Sequence, residues 1–114
     1  MLWEETVPLM RKGYHKELVK KAYENKSVSR KVFPPRETVF NSMRLTPLDQ
    51  LRVVIIGQDP YINEHAGLGP EAHGLCFSVK EGIPHPPSLK NIFKEINRSI
   101  YGGEKRSMSS DLTP

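Results

Sequence analysis

The residues best suited to chemistry stand together at Gln58-Asp59-Pro60-Tyr61, directly after Val53-Val54-Ile55-Ile56 and Gly57. A continuous β-branched run predicts a strand buried on both faces, the kind that parallel sheets contain. Open α/β sheets bind ligands at the carboxyl ends of their strands, and Asp59 falls at such an end. Proline restricts the residue before it to extended backbone, so Asp59 is a held carboxylate with amide donors at Gln58 and Asp59 beside it. That group can activate a water or support positive charge developing on a substrate. It reads equally well as a turn aspartate that caps its own loop. Strand position alone does not separate the two.

Three other groups bear on function. Pro84, Pro86 and Pro87 stiffen a loop that runs into Ser88, where an N-cap belongs. A stiff loop feeding a helix N-terminus seats a phosphate, with the Ser88 hydroxyl and backbone amides as donors. Phe77 offers a flat ring, although Leu75 and Val79 at alternate positions favour a core role for it. Glu64, His65, Glu71 and His73 share one loop and could ligate a metal, but their spacing fits no common zinc pattern.

These side chains need elements to position them. Residues 2–10 and 14–25 look helical, separated by Gly13, and Tyr14, Leu18 and Ala22 with Val19 and Tyr23 make the apolar stripe of the second. Residues 26–38 are polar and end in Phe33-Pro34-Pro35, an extended approach. Val39, Phe40 and Met43 suit a helical turn before Thr46-Pro47. After the strand at 53–56, residues 60–74 carry too many prolines and small residues to be regular. Residues 75–79 read as a second short strand, and 82–87 as a proline-rich loop. Leu89, Ile92, Phe93 and Ile96 follow at helical spacing, predicting a helix from Ser88 to about residue 100 that stops at Gly102-Gly103. The tail from Glu104 to Pro114 is polar and patternless, and no internal repeat is present.

The bulk properties set limits. A chain of 114 residues, 37% of them hydrophobic, is at most one domain with a modest core. Its net charge of +4 suits a polyanion partner without demonstrating one, because the excess lies in scattered pairs: Arg11-Lys12, Lys20-Lys21, Arg30-Lys31 and Lys105-Arg106. The single cysteine, Cys76, excludes an intramolecular disulfide, suits a reducing compartment and predicts a buried packing role. No stretch approaches the ~18 apolar residues of a membrane span. The start, Met1-Leu2-Trp3-Glu4-Glu5, carries the wrong charge for a secretory signal, so an intracellular protein is expected.

Three segments in order resemble a known family. VVIIGQDPY (53–61), AHGLCFSV (72–79) and PPSLKNIFK (86–94) are similar to successive motifs of the family 1 uracil-DNA glycosylases. Upstream, Trp3, Phe33-Pro34-Pro35 and Val39-Phe40 are spaced as in that family, so the resemblance covers nearly the whole chain. It implies an α/β fold, a three-layer α/β/α domain with a central parallel sheet, with residues 1–114 as its N-terminal half. It implies hydrolysis of the N-glycosidic bond of uracil flipped out of single- or double-stranded DNA, as in base excision repair. No metal and no organic cofactor are implied, and the complete protein would be a monomer.

Roles carry over residue by residue. Asp59 matches the aspartate that activates the attacking water and stabilises the oxocarbenium-like sugar. Gln58 matches the glutamine whose backbone contacts the flipped base. Tyr61 matches the tyrosine that blocks the C5 position, which would reject thymine by clash. Phe77 matches the ring that stacks on uracil, a contact of about 1–3 kcal/mol. Pro84, Pro86, Pro87 and Ser88 match the loop that grips the DNA backbone. A family member in bacteria would be cytoplasmic, and one in eukaryotes nuclear or mitochondrial.

The pattern is broken in places. Ile62 stands where the family has a histidine associated with the DNA backbone, and isoleucine cannot donate to phosphate. The stretch Ile62 to Glu71 is about five residues longer than the family's link, and either widens the pocket rim or bulges into solvent. His85 interrupts the proline run. The family also continues past a segment like Ser110-Asp111-Leu112-Thr113-Pro114 into strands bearing an asparagine, a histidine and a leucine that this sequence lacks. The expectation is therefore a partly folded or aggregation-prone chain without glycosylase activity of its own. Two other readings stand beside it: a non-catalytic DNA-binding fragment or decoy, and a small-molecule-binding α/β domain.

Overall fold

The computed structural model describes residues 2–25 and 31–114; Met1 and residues 26–30, with Arg30 of one basic pair, lie outside them. Pro8 decides how the chain starts. It pushes Val7 into extended backbone (φ −83°, ψ 116°), so the helix expected over 2–10 is two short ones, α1 (Trp3–Thr6) and α2 (Pro8–Arg11). After Gly13, α3 runs over Tyr14–Tyr23. Its inward stripe is shifted by one residue from the expected one. His15, Val19 and Tyr23 are partly buried, whereas Tyr14 and Leu18 are each 46% exposed. Polar groups explain the shift. The Tyr23 hydroxyl donates to the Pro34 carbonyl, and the His15 ring meets Phe40 edge-on with centroids 5.4 Å apart. Both stripes are apolar enough for hydropathy to accept either.

A cis peptide joins Phe33 to Pro34. A 3₁₀ turn at Arg36–Thr38 leads to α4 (Asn41–Leu45), and a second 3₁₀ turn covers Leu48–Gln50. The Trp3 indole N–H donates to the Thr46 carbonyl at 3.0 Å, which ties α1 to the end of α4.

The expected strand at 53–56 is corrected. These residues join no ladder among the described residues, and Val53, Val54, Ile55 and Ile56 are 75%, 65%, 62% and 90% exposed. A strand buried on both faces needs a neighbour at its edge and a layer on each side, and among the described residues none covers this run. The sheet that does form is antiparallel and lies where no regular structure was expected. Strand β1 (Glu64–His65) pairs with β2 (Gly69–Pro70), with Glu64 opposite Pro70 and His65 opposite Gly69. The described residues thus form helices and one two-stranded ladder, without the parallel three-layer sheet. The long stretch from Ile62 to Glu71 folds back on itself as a hairpin, closed by the Glu71 amide donating to the Asn63 carbonyl at 3.0 Å.

Residues 75–79 also form no strand, because they turn at 76–77. Beyond that turn sits the core: Val79, Ile83 and Leu89 are buried, with Tyr61, Phe77 and Phe93 packed against them. Helix α5 (Pro87–Ser99) supplies Leu89 and Phe93. Its apolar spacing and its end are as expected, and the Gly103 amide bonds back to the Asn97 carbonyl at 2.8 Å. Gly103 does so at φ 90°, a left-handed conformation that closes helix ends. Its start is not as expected: Pro86 occupies the N-cap and Pro87 the first turn, which leaves Ser88 inside the helix. The tail is less idle than its composition suggests. Ser110 is buried, its carbonyl accepting the Val79 amide at 3.1 Å. No helix among the described residues is long and apolar enough to cross a membrane.

Candidate functional site

The first two motifs are clasped together. The Cys76 thiol donates to the Ile55 carbonyl at 3.5 Å, and a Cβ added at Gly57 would lie 3.2 Å from Cys76 Sγ. Four residues on, the Tyr61 hydroxyl donates to the Phe77 carbonyl at 3.0 Å. The turn Gln58-Asp59-Pro60 is therefore held on both sides by the turn at 76–77. Cys76 is exposed and serves as a tie between the motifs, which corrects the expectation of a buried packing residue.

Asp59 projects from that turn into solvent, and among the described residues its one side-chain partner is Gln58, whose amide donates to Asp59 Oδ2 at 2.9 Å. Tyr61 and Phe77 are both half-buried and pack against the core. Burial pushes the Tyr61 phenol above its ordinary 10.0, with the Glu71 carboxylate adding to the effect. A phenol that stays protonated remains a donor to Phe77. Phe77 itself holds φ 64°, and it is the only non-glycine residue with positive φ among those described. An aromatic residue there costs on the order of 1–3 kcal/mol, and such outliers cluster at functional sites.

Polar side chains tie the residues on either side of the 76–77 turn to the rest of the chain. The Asn41 amide donates to the His73 carbonyl at 2.7 Å, and His73 Nε2 lies 2.8 Å from Ser78 Oγ. Ser78 is fully buried and also accepts the Leu112 amide at 2.8 Å. Its hydroxyl proton is then free to point at Nε2, which suits a neutral imidazole. Burial pushes the His73 pKa below 6.5, outweighing the attraction of Asp111, while Lys80 adds to the lowering. The sequence reading missed Asn41, Ser78 and Ser110. Their signal is a backbone partner far along the chain, and hydropathy does not carry it.

Glu71 is buried with its carboxylate 3.4 Å from His65 Nε2. Glu64 instead pairs with Lys31 at 2.9 Å, and His73 with Ser78. Of the four candidate metal ligands only His65 and Glu71 meet, and among the described residues no group of three or more His, Cys, Asp or Glu could hold a metal ion. In the proline loop Pro86 is buried, whereas Pro84, Pro87 and Ser88 are exposed. The loop's rigid member faces inward and its donor faces solvent.

Fold and site together define a class: a helical scaffold whose two clasped loops carry an exposed carboxylate, Asp59, and two half-buried aromatic residues, Tyr61 and Phe77. No protein-family model matches the chain. It is 45% identical over 104 residues to a uracil-DNA glycosylase of Shewanella oneidensis, covering 90% of this chain and 45% of that protein. It is 50% identical over 89 residues to one from Pseudomonas aeruginosa, covering 78% and 36%. With one from Azotobacter vinelandii it shares 48% identity over 99 residues, covering 86% and 40%. Over these stretches the chain is similar to the uracil-DNA glycosylases, and it spans less than half the length of these curated relatives.

Proposed function

We propose that this chain supplies the water-activating side of a uracil-DNA glycosylase site, acting on uracil flipped out of single- or double-stranded DNA. The clasp between the turn at 58–60 and the turn at 76–77 carries the reading, because it brings the two motifs of the family into one surface. In this reading the N-glycosidic bond breaks first and uracil leaves as an anion; Asp59 supports the oxocarbenium-like sugar and then accepts a proton from the water whose oxygen bonds to the sugar carbon. Phe77 stacks on the base, Tyr61 bars a C5 methyl group, and the Gln58 backbone contacts the base. Pro84, Pro86, Pro87 and Ser88 hold the DNA backbone. Val53–Ile56 is read as a strand of a three-layer sheet that is completed only with further strands.

A chimera tests this. The aligned 104 residues of the Shewanella oneidensis relative are replaced by those of this chain, and base release from a uracil-containing oligonucleotide is followed. The chimera is expected to release uracil, and Asp59→Asn to slow release by on the order of 10²–10⁴-fold. The chain alone is expected to release none. A folded chimera whose rate is unchanged by the Asp59→Asn substitution overturns the role of Asp59, and release by the chain alone overturns the division of labour.

A further inference from the structure

We propose that the groove between α5 and the segment 103–108 binds a phosphodiester backbone, as a second nucleic-acid contact outside the site just described. The groove is about 530 Å³ and is lined by Lys90, Lys94, Arg98, Lys105 and Arg106 around Phe93, with no carboxylate in its walls. Lys90, Lys94 and Arg98 recur every four residues on α5, so their charges follow one another at about 6 Å steps along the helix. That is a linear array, suited to a regularly charged strand rather than a single small anion.

The opposite wall is fixed in place. Asn97 holds the segment twice, accepting the Gly103 amide through its carbonyl at 2.8 Å and the Arg106 amide through Oδ1 at 3.3 Å. The Arg106 guanidinium lies 4.2 Å above the Tyr101 ring, which orients it as a flat donor. Two acids stand at the edges, Glu95 on Arg98 and Glu104 on Arg106. Among the described residues Lys90, Lys94 and Lys105 have no carboxylate partner. At one end His85 meets Phe93 edge-on at 5.2 Å, so the groove continues from the loop of Pro84 to Ser88. A strand leaving that loop would run along α5. Phosphate neutralisation gives affinity without sequence preference, and an aromatic floor suits single-stranded bases.

The choice of a nucleic acid rests on the DNA reading above, but binding here does not require Asp59. The test is fluorescence anisotropy of a labelled thymidine oligomer, free of uracil, titrated with the full chain at several salt concentrations. A Lys90→Gln, Lys94→Gln, Lys105→Gln triple variant is expected to bind on the order of tenfold or more weakly and to lose about 2 from the log–log salt slope. The matching triple lysine-to-arginine variant is expected to bind as the parent does. An unchanged affinity and slope in the glutamine variant overturns the proposal. So does displacement of the oligomer by polyglutamate at equal charge concentration, which would mark a groove for acidic protein. An inactive chimera with normal oligomer binding counts against the catalytic reading alone.

Discussion

At the scale of single residues, His73 ties the site's support to pH. Its folded pKa lies below the ordinary 6.5 because burial disfavours the charged ring, with Asp111 opposing and Lys80 reinforcing that effect. The unfolded chain therefore binds a proton more readily than the folded one. The contribution to stability is full above about pH 6.5 and is lost as pH falls through the folded value. Asp111, lowered chiefly by its hydrogen bonds from Thr113, adds a second loss below its ordinary 3.8. The urea midpoint is expected to fall between about pH 7.5 and about pH 5, and His73→Gln is expected to flatten that decline. A parent protein with a level midpoint across the same range would remove the buried neutral imidazole from the account. Residue types were legible at Asp59, Tyr61 and Phe77, since the motif names them, whereas the left-handed backbone of Phe77 was not. Nothing in an alternating Leu-Cys-Phe-Ser-Val pattern announces that the chain turns there, and only the neighbouring Gly74 hints at it.

At the scale of elements, the two glycines beside the clasp make opposite predictions. A Cβ at Gly74 would sit 1.8 Å from the Thr38 carbonyl oxygen, a backbone atom, and Gly74 holds φ 87°. Gly74→Ala is expected to destabilise the fold by about 3 kcal/mol or more, since both the clash and the strain are fixed. At Gly57 the nearest atom is the Cys76 thiol at 3.2 Å, a side chain that can yield, and no positive φ is required. Gly57→Ala is expected to cost about 1 kcal/mol or less. Chemical denaturation of both variants decides the matter, and equal costs would mean that the turn at 73–74 is not wedged against Thr38. Helix α5 was legible because its apolar face is sharply periodic and Gly102-Gly103 ends it. The stripe of α3 was legible only to within one residue, because adjacent faces are both apolar and polar contacts choose between them. The hairpin β1–β2 was invisible, since backbone pairing and turn closure hold it and its hydropathy has no period.

At the scale of the whole molecule, the surface is too large for the mass. The chain exposes 8882 Å², whereas a folded monomer of 13.0 kDa exposes about 6,300 Å². Its radius of gyration is 16.3 Å against about 13 Å for a compact domain of this length. Val53–Ile56 contributes four consecutive exposed apolar residues, an exposure the sequence reading inverted because hydropathy reports what a residue prefers and not whether a partner is present. Fully burying each such side chain is worth about 1.5–3 kcal/mol, so this edge attracts any strand that can pair with it. It is uncharged and β-branched throughout, the composition that favours pairing between copies. The purified chain is therefore expected to self-associate with rising concentration in sedimentation velocity. Ile56→Lys is expected to suppress that association while shifting the urea midpoint by the equivalent of about 0.5 kcal/mol or less, because the side chain is 90% exposed and contributes little to the fold. Association undiminished by the lysine would place the adhesive surface elsewhere. A large loss of stability would show instead that Ile56 is covered in solution, and the exposed run would then need another account.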